Sequence, residues 1–222
     1  NIKVFYGDAK HSNGLAKNVD TFRGLHANQH IPQIVGALEM YQDSKTPDYY
    51  RIADNFWYKT TNDYMYSIGG VAGASNPANA ECFISEPASL YQNGFSDGGQ
   101  NETCATYNML KLTSSLFMFD QRAELMNYYE RALYNHILSS QHPEHGGLVY
   151  FTPMRPQHYR VYSKVDQGMW CCVGSGIESH SKHGEFIYSL DKNALQVNLW
   201  IASSIETPAI KLQQQLLTTK RY

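Results

Sequence analysis

Two stretches of the sequence carry apolar residues at helical spacing, and each is broken by a turn too short to let its halves part. In the first, Ile31, Ile34, Val35, Leu38 and Tyr41 share one face of a helix over 31–43, with Pro32 in its first turn. Ser44-Lys45-Thr46-Pro47 then turns the chain, and Pro47 predicts the first position of a second helix running to about Tyr66. The second stretch predicts helices over 103–119 and 121–140. Leu110, Leu116 and Phe117 face Leu125, Tyr128, Leu133 and Ile137. A helix pair cannot bury both of its faces alone, so repeated pairs predict a bundle, solenoid or toroid.

Between the pairs, Gly69 to Gly99 reads as a long loop rich in Gly, Ser, Asn and Pro, a length usually kept for function. Beyond them the pattern changes. A turn at His142–Gly147 leads to a predicted strand over 148–152, then an irregular stretch to Cys172 and a predicted helix over 175–189. Asp191-Lys192-Asn193 predicts a turn before a strand over 194–202, and 209–217 reads as another. The helical part is expected to occupy residues 1–190, with a β region starting at 191–222.

With 222 residues, 42% hydrophobic and 17% charged, the chain can bury one substantial core or two small ones. A net charge of −2 and no basic stripe argue against nucleic acid as a partner. No apolar run reaches membrane-spanning length, so no membrane partner is expected. The sequence starts at Asn1 rather than Met and stops at Tyr222 after a predicted strand, so both ends are expected to be cuts in a longer protein. Tyr, at 17 residues, outnumbers Phe and Trp together. Its apolar face and polar tip suit stacking on a sugar ring, and equally suit helix interfaces whose hydroxyls reach water.

The chemistry concentrates in Glu102-Thr103-Cys104, at a predicted helix start, and Trp170-Cys171-Cys172, at a loop-to-helix junction. Three thiols and a carboxylate are a four-coordinate donor set for zinc. Helix N-termini favour their anionic forms. Glu102 and Cys104 are two positions apart and cannot converge within a regular helix, although an irregular first turn lets them. A vicinal disulfide and buried inert thiols are the competing readings. Four cysteines, two adjacent, are not the spaced framework of a disulfide-rich domain.

The run from Glu102-Thr103-Cys104-Ala105-Thr106-Tyr107-Asn108-Met109 to Thr113 resembles the corresponding helix of glycoside hydrolase families 127 and 146. These are bacterial β-L-arabinofuranosidases and related enzymes. Tyr129-Glu130-Arg131-Ala132-Leu133-Tyr134-Asn135, Trp170-Cys171-Cys172-Val173-Gly174-Ser175-Gly176 and Gly24-Leu25-His26-Ala27-Asn28 are similar to further signatures, in the same order. The resemblance implies a mainly α fold, part of an (α/α) six-hairpin barrel followed by the start of a β-sandwich region. It implies Zn2+ held by Glu102, Cys104, Cys171 and Cys172, Cys171 as the nucleophile of a retaining hydrolase, and His26 as a substrate-binding donor. It puts the general acid/base on Glu81, beside Cys82 and Phe83; Ala80 stands where the family pattern has Gly, which leaves Glu86 as a rival. The implied substrate is an oligosaccharide or plant cell-wall glycan ending in β-L-arabinofuranose or a related L-sugar. An N-terminal part of the barrel, or another chain, is expected to cover an open edge.

Other residues have plainer readings. Without the resemblance, His26 is a helix-entry histidine. His180 and His183 share a helix face but lack a third ligand and read as a solvated face. His142 and His145 read as turn residues, Cys82 as a spectator thiol, and Arg131 as structural. Two other functions compete: a helical toroid that binds carbohydrate without hydrolysis, and a redox protein using Cys171-Cys172. The first needs none of the thiols, and the second does not need Glu102.

Overall fold

The computed structural model describes residues 12–73, 76–96 and 100–216. The chain is mainly α-helical and divides into two compact units between His180 and Ser181.

The first unit is built on hairpins. A short helix α1 (Ser12–Ala16) precedes α2 (Ala27–Ser44) and α3 (Pro47–Asp63). The helix α2 starts four residues earlier than the apolar periodicity suggests, so Pro32 lies inside it rather than in its first turn. There it removes the hydrogen bond that residue 32 would give to Asn28. The turn is made by Lys45 in the left-handed region (φ 55°), its N–H closing onto the Tyr41 carbonyl, followed by extended Thr46 and Pro47 at the start of α3. The helix α3 stops at Asp63 rather than near Tyr66, where Tyr64 leaves helical geometry. A short helix α4 (Leu90–Gly94) and a 3-10 turn at Pro77–Asn79 interrupt the long loop. Residues 74, 75 and 97–99 of that loop lie outside the described residues.

The strand β1 (Gln100–Glu102) leads straight into α5 (Thr103–Phe117), and α6 (Ala123–Ala132) follows. The helix expected to continue to residue 140 instead widens into one π turn at Leu133–Ile137 and tightens into a 3-10 turn at Leu138–Ser140. The helix α5, nearly all buried, packs against α2, α3 and α6, while α2 also packs on α3. Phe22, Phe56, Tyr64 and Phe83 form one fully buried aromatic cluster, Phe22 lying 4.7–4.9 Å from the other three rings. Trp57 donates its indole N–H to Thr113 across α3 and α5 at 2.9 Å. The strand β2 (Phe151–Pro153) runs antiparallel to β1, pairing Glu102 with Phe151. The expected strand over 148–152 is divided: Leu148 and Val149 bridge instead to Gln141 and Tyr162.

The last helix, α7 (Cys171–Ser181), begins four residues before its predicted start and ends eight before its predicted end. Ser189 is not helical: it lies in β3 (Tyr188–Asp191), which forms a hairpin with β4 (Ala194–Val197) across Lys192-Asn193. A second hairpin joins β5 (Ser203–Glu206) and β6 (Lys211–Gln214) in the second unit, so the strand expected over 194–202 ends at Val197. The strand expected over 209–217 is shorter, and Leu217 lies outside the described residues. Among the described residues no helix is long and apolar enough to cross a membrane.

Candidate metal and catalytic site

Two helix starts meet in the first unit. Glu102 is the extended residue (φ −70°, ψ 125°) at which β1 becomes α5. This strand-to-helix corner does what a regular helix cannot, turning Glu102 and Cys104 toward one point. The corner is tethered: the Thr103 N–H donates to the Tyr150 carbonyl at 3.0 Å, and its hydroxyl to the Val149 carbonyl at 2.8 Å. Opposite, the Trp170 carbonyl accepts from Val173 and Gly174, so Cys171 and Cys172 open α7. One donor atom each from Glu102, Cys104, Cys171 and Cys172 lies within 4.8 Å of the others.

The two adjacent sulfurs are 4.0 Å apart and all four cysteines are free thiols, so no vicinal disulfide forms. Cys172 Sγ lies 4.0 Å from Glu102 Oε1. Tetrahedral sulfur ligands around zinc sit about 3.8 Å apart, given Zn–S bonds of about 2.3 Å. Glu102, Cys104 and Cys172 are buried, whereas Cys171 is exposed. Three donors therefore close the back of the site and one faces out.

The protein alone holds these groups in conflict. Burial, then the neighbouring Cys104, pushes the Glu102 carboxyl up to about 9. Hydrogen bonding from Cys172, with help from Ser175 at 3.0 Å, brings Cys104 down to about 6 against its burial. The bond to Cys104 and burial hold the Cys172 thiol far above its ordinary range, and burial raises Cys171. Glu102 Oε2 is sealed from solvent without a hydrogen-bond partner. A buried carboxylate oxygen with no donor, beside three convergent sulfurs, fits a divalent thiophilic cation, which would lower all four pKa values together. These residues can bind a metal.

A second layer lies on the exposed side. Tyr150 donates its hydroxyl to Glu81 Oε1 and accepts from the Cys171 thiol at 3.5 Å. His26 Nε2 lies 3.0 Å from the other oxygen of Glu81. Glu81 is held by main-chain pairing: Ala27 N–H donates to the Glu81 carbonyl and Phe83 N–H to the Leu25 carbonyl, both at 2.9 Å. Phe83 fixes this segment in the aromatic cluster. Burial, then the bond to Glu81, raises the Tyr150 phenol well above its ordinary value, so it remains a donor.

The structure thus brings Glu81, His26 and Cys171 into one network and leaves Glu86 exposed outside it. Tyr150 escaped the sequence reading, being one of many tyrosines with no motif around it. His142 and His145 stack on each other at 3.7 Å with Tyr162 edge-on. Among the described residues neither they nor His180 and His183 join a metal-ligand cluster. Arg131 is exposed on α6.

Helical hairpins whose helix starts converge on three thiols and a carboxylate, with a second carboxylate reached from one thiol through Tyr150, define a helical protein whose donor set can hold a metal. Residues 3–185 match the family model of the β-L-arabinofuranosidase GH127 catalytic domain, and the chain belongs to that family. Its fold is similar to a GH127 β-L-arabinofuranosidase from Geobacillus stearothermophilus T6, at TM-score 0.66 and 20% identity over 82% of this chain and 29% of that one. A second GH127 β-arabinofuranosidase gives 0.66 and 20%, over 84% of this chain and 28% of that one. A glycoside hydrolase gives 0.64 and 16%, over 84% and 33%. The chain therefore spans about 29% of the first solved relative's length. No curated protein matches it.

Proposed function

We propose that this chain forms part of a retaining glycoside hydrolase that releases terminal β-L-arabinofuranose, or a related L-sugar, from plant cell-wall glycans. Cys171 is the nucleophile, Glu81 the general acid/base, and His26 a donor to a sugar hydroxyl. The observation that carries the reading is the hydrogen-bonded path from the Cys171 thiol through the Tyr150 hydroxyl to the Glu81 carboxylate. A retaining hydrolase needs an anionic nucleophile and a protonated acid together. One proton passed along this path, from sulfur to Tyr150 as the phenolic proton moves to Glu81, produces both.

Glu102, Cys104, Cys171 and Cys172 are the residues that would hold Zn2+, whose chemistry there is to keep thiols deprotonated at neutral pH. In the first displacement the Cys171 sulfur bonds to the anomeric carbon as the glycosidic C–O bond breaks, and Glu81 gives its proton to the departing oxygen. In the second, Glu81 takes a proton from water, whose oxygen displaces the sulfur and restores the thiolate. Two inversions retain configuration.

Residues 1–190 are read as part of an (α/α) six-hairpin barrel and 191–222 as the start of its β-sandwich region; the helical hairpins of the first unit and the β-hairpins of the second support this reading. The remaining hairpins, from a longer chain or another one, would cover Tyr58, Met118, Tyr134, Leu138 and Ile177, which are exposed here. Family membership does not favour the non-hydrolytic carbohydrate-binding toroid.

Glu81→Gln and Glu86→Gln, assayed in the full protein on an aryl arabinofuranoside with a good leaving group and on a natural glycoside, test the assignment. Glu81→Gln should lose ~10² to 10⁴-fold on the natural substrate and less on the aryl one. That pattern in Glu86→Gln instead would move the role to Glu86.

A further inference from the structure

The π turn after α6 hydrogen-bonds the Leu138 N–H five residues back, to the Leu133 carbonyl. Such turns interrupt the regular ladder and recur where a functional side chain is held out of helical phase. The residue presented here is His136, fully buried. Its Nδ1 lies 2.7 Å from the Thr106 hydroxyl. Its Nε2 is sealed from solvent without a hydrogen-bond partner. Burial first, then Arg160, holds the imidazole down to about 3, so it is neutral in ordinary buffers.

A neutral imidazole offers one acceptor and one donor. Thr106 lies two residues after Cys104 in α5. The hydroxyl of Thr106 can donate to Nδ1, so the ring braces the helix that begins at the metal-ligand corner. The tethers of Thr103 to Val149 and Tyr150 hold the same corner by separate bonds. Without the ring, the Thr106 hydroxyl has a fallback acceptor one turn back, the Glu102 carbonyl, which competes with the first turn of α5.

We propose that His136 is a positioning residue for the metal: through Thr106 it braces the start of the helix that carries Cys104, presetting that donor. The inference rests on the metal reading above and extends it to a residue that touches neither ligand nor substrate.

The test is cobalt titration of the full protein, read by its cobalt–thiolate charge-transfer absorption and ligand-field bands, with a thermal melt beside each titration. His136→Ala should bind cobalt about 10- to 100-fold more weakly, with altered ligand-field bands. His136→Gln, which keeps a donor and an acceptor, should recover most of that loss, and Thr106→Val should fall between. A lower melting temperature in His136→Ala with unchanged cobalt affinity and spectrum would overturn the inference. If His136→Ala does not fold, unchanged affinity in Thr106→Val overturns it instead. A wild-type protein showing no cobalt–thiolate band defeats the metal reading, and this inference with it; normal wild-type binding with indifferent variants defeats this inference alone.

Discussion

Each of the four donors meets a different environment, and Glu102 meets the hardest one. Its carboxylate is buried, one oxygen lacks any partner, and Cys104 competes for negative charge. Without metal the folded carboxyl titrates near 9, against an ordinary value of 4.5. Folding then binds a proton that the unfolded chain has released, so the metal-free protein should lose stability as pH rises from about 4.5 to about 6. Above that, the early release of the Cys104 proton offsets the cost. A bound cation removes that penalty. Thermal melts across this range, with and without chelator, should show the loss only in the chelated protein, and Glu102→Gln should flatten the chelated profile. A chelated profile that rises with pH in wild type would contradict the assignment of this cost to Glu102.

At the same scale, residue chemistry made much of the site readable. Three thiols and a carboxylate at two helix starts are rare enough to stand out, and they converge. Glu81 and Glu86 could not be separated by chemistry, since both are loop carboxylates. Their separation comes from tertiary pairing, with Phe83 in the aromatic cluster and Glu81 bonded across to Ala27. Tyr150 and His136 acquire their roles only through partners far away in sequence.

Among the elements, the long helices were legible because their apolar stripes repeat, while their ends were not. The helix α2 runs through Pro32 because the buried face it shares with α3 and α5 outweighs one lost hydrogen bond. The departure from helix at 188–191 follows from pairing with β4, a partner that local pattern does not announce. The loop after α3 has its own constraint. Gly73 sits at φ 118°, and a Cβ there would lie 2.3 Å from the Gln100 carbonyl oxygen. Gly73→Ala should therefore press on β1 beside the ligand corner, costing about 2 kcal/mol or more. The check is a denaturant melt of the variant beside wild type; equal midpoints would contradict the close packing of this loop on β1.

For the whole molecule, the chain matches more than four-fifths of its own length to the first solved relative but only 29% of that relative. The exposed apolar residues of the helical unit fit this partial coverage. The chain by itself should bind a hydrophobic dye or self-associate, and Leu138→Asp should reduce both. A monodisperse, dye-free monomer would contradict an uncovered helix face. Helical hairpins were legible as repeated pairs, but their number in a ring is a property of the whole assembly that two pairs cannot count.

The most direct test of the central claim is a mass spectrum of the full enzyme. In Glu81→Gln, an aryl arabinofuranoside should still load the nucleophile, because its leaving group needs little protonation, while the missing base slows release. After an acid quench, peptide mapping should find one pentosyl unit on the peptide carrying Cys171, bound through sulfur. A pentosyl unit on Glu86, Glu102 or any other carboxylate, or turnover that inverts the anomeric centre, would contradict the thiolate mechanism.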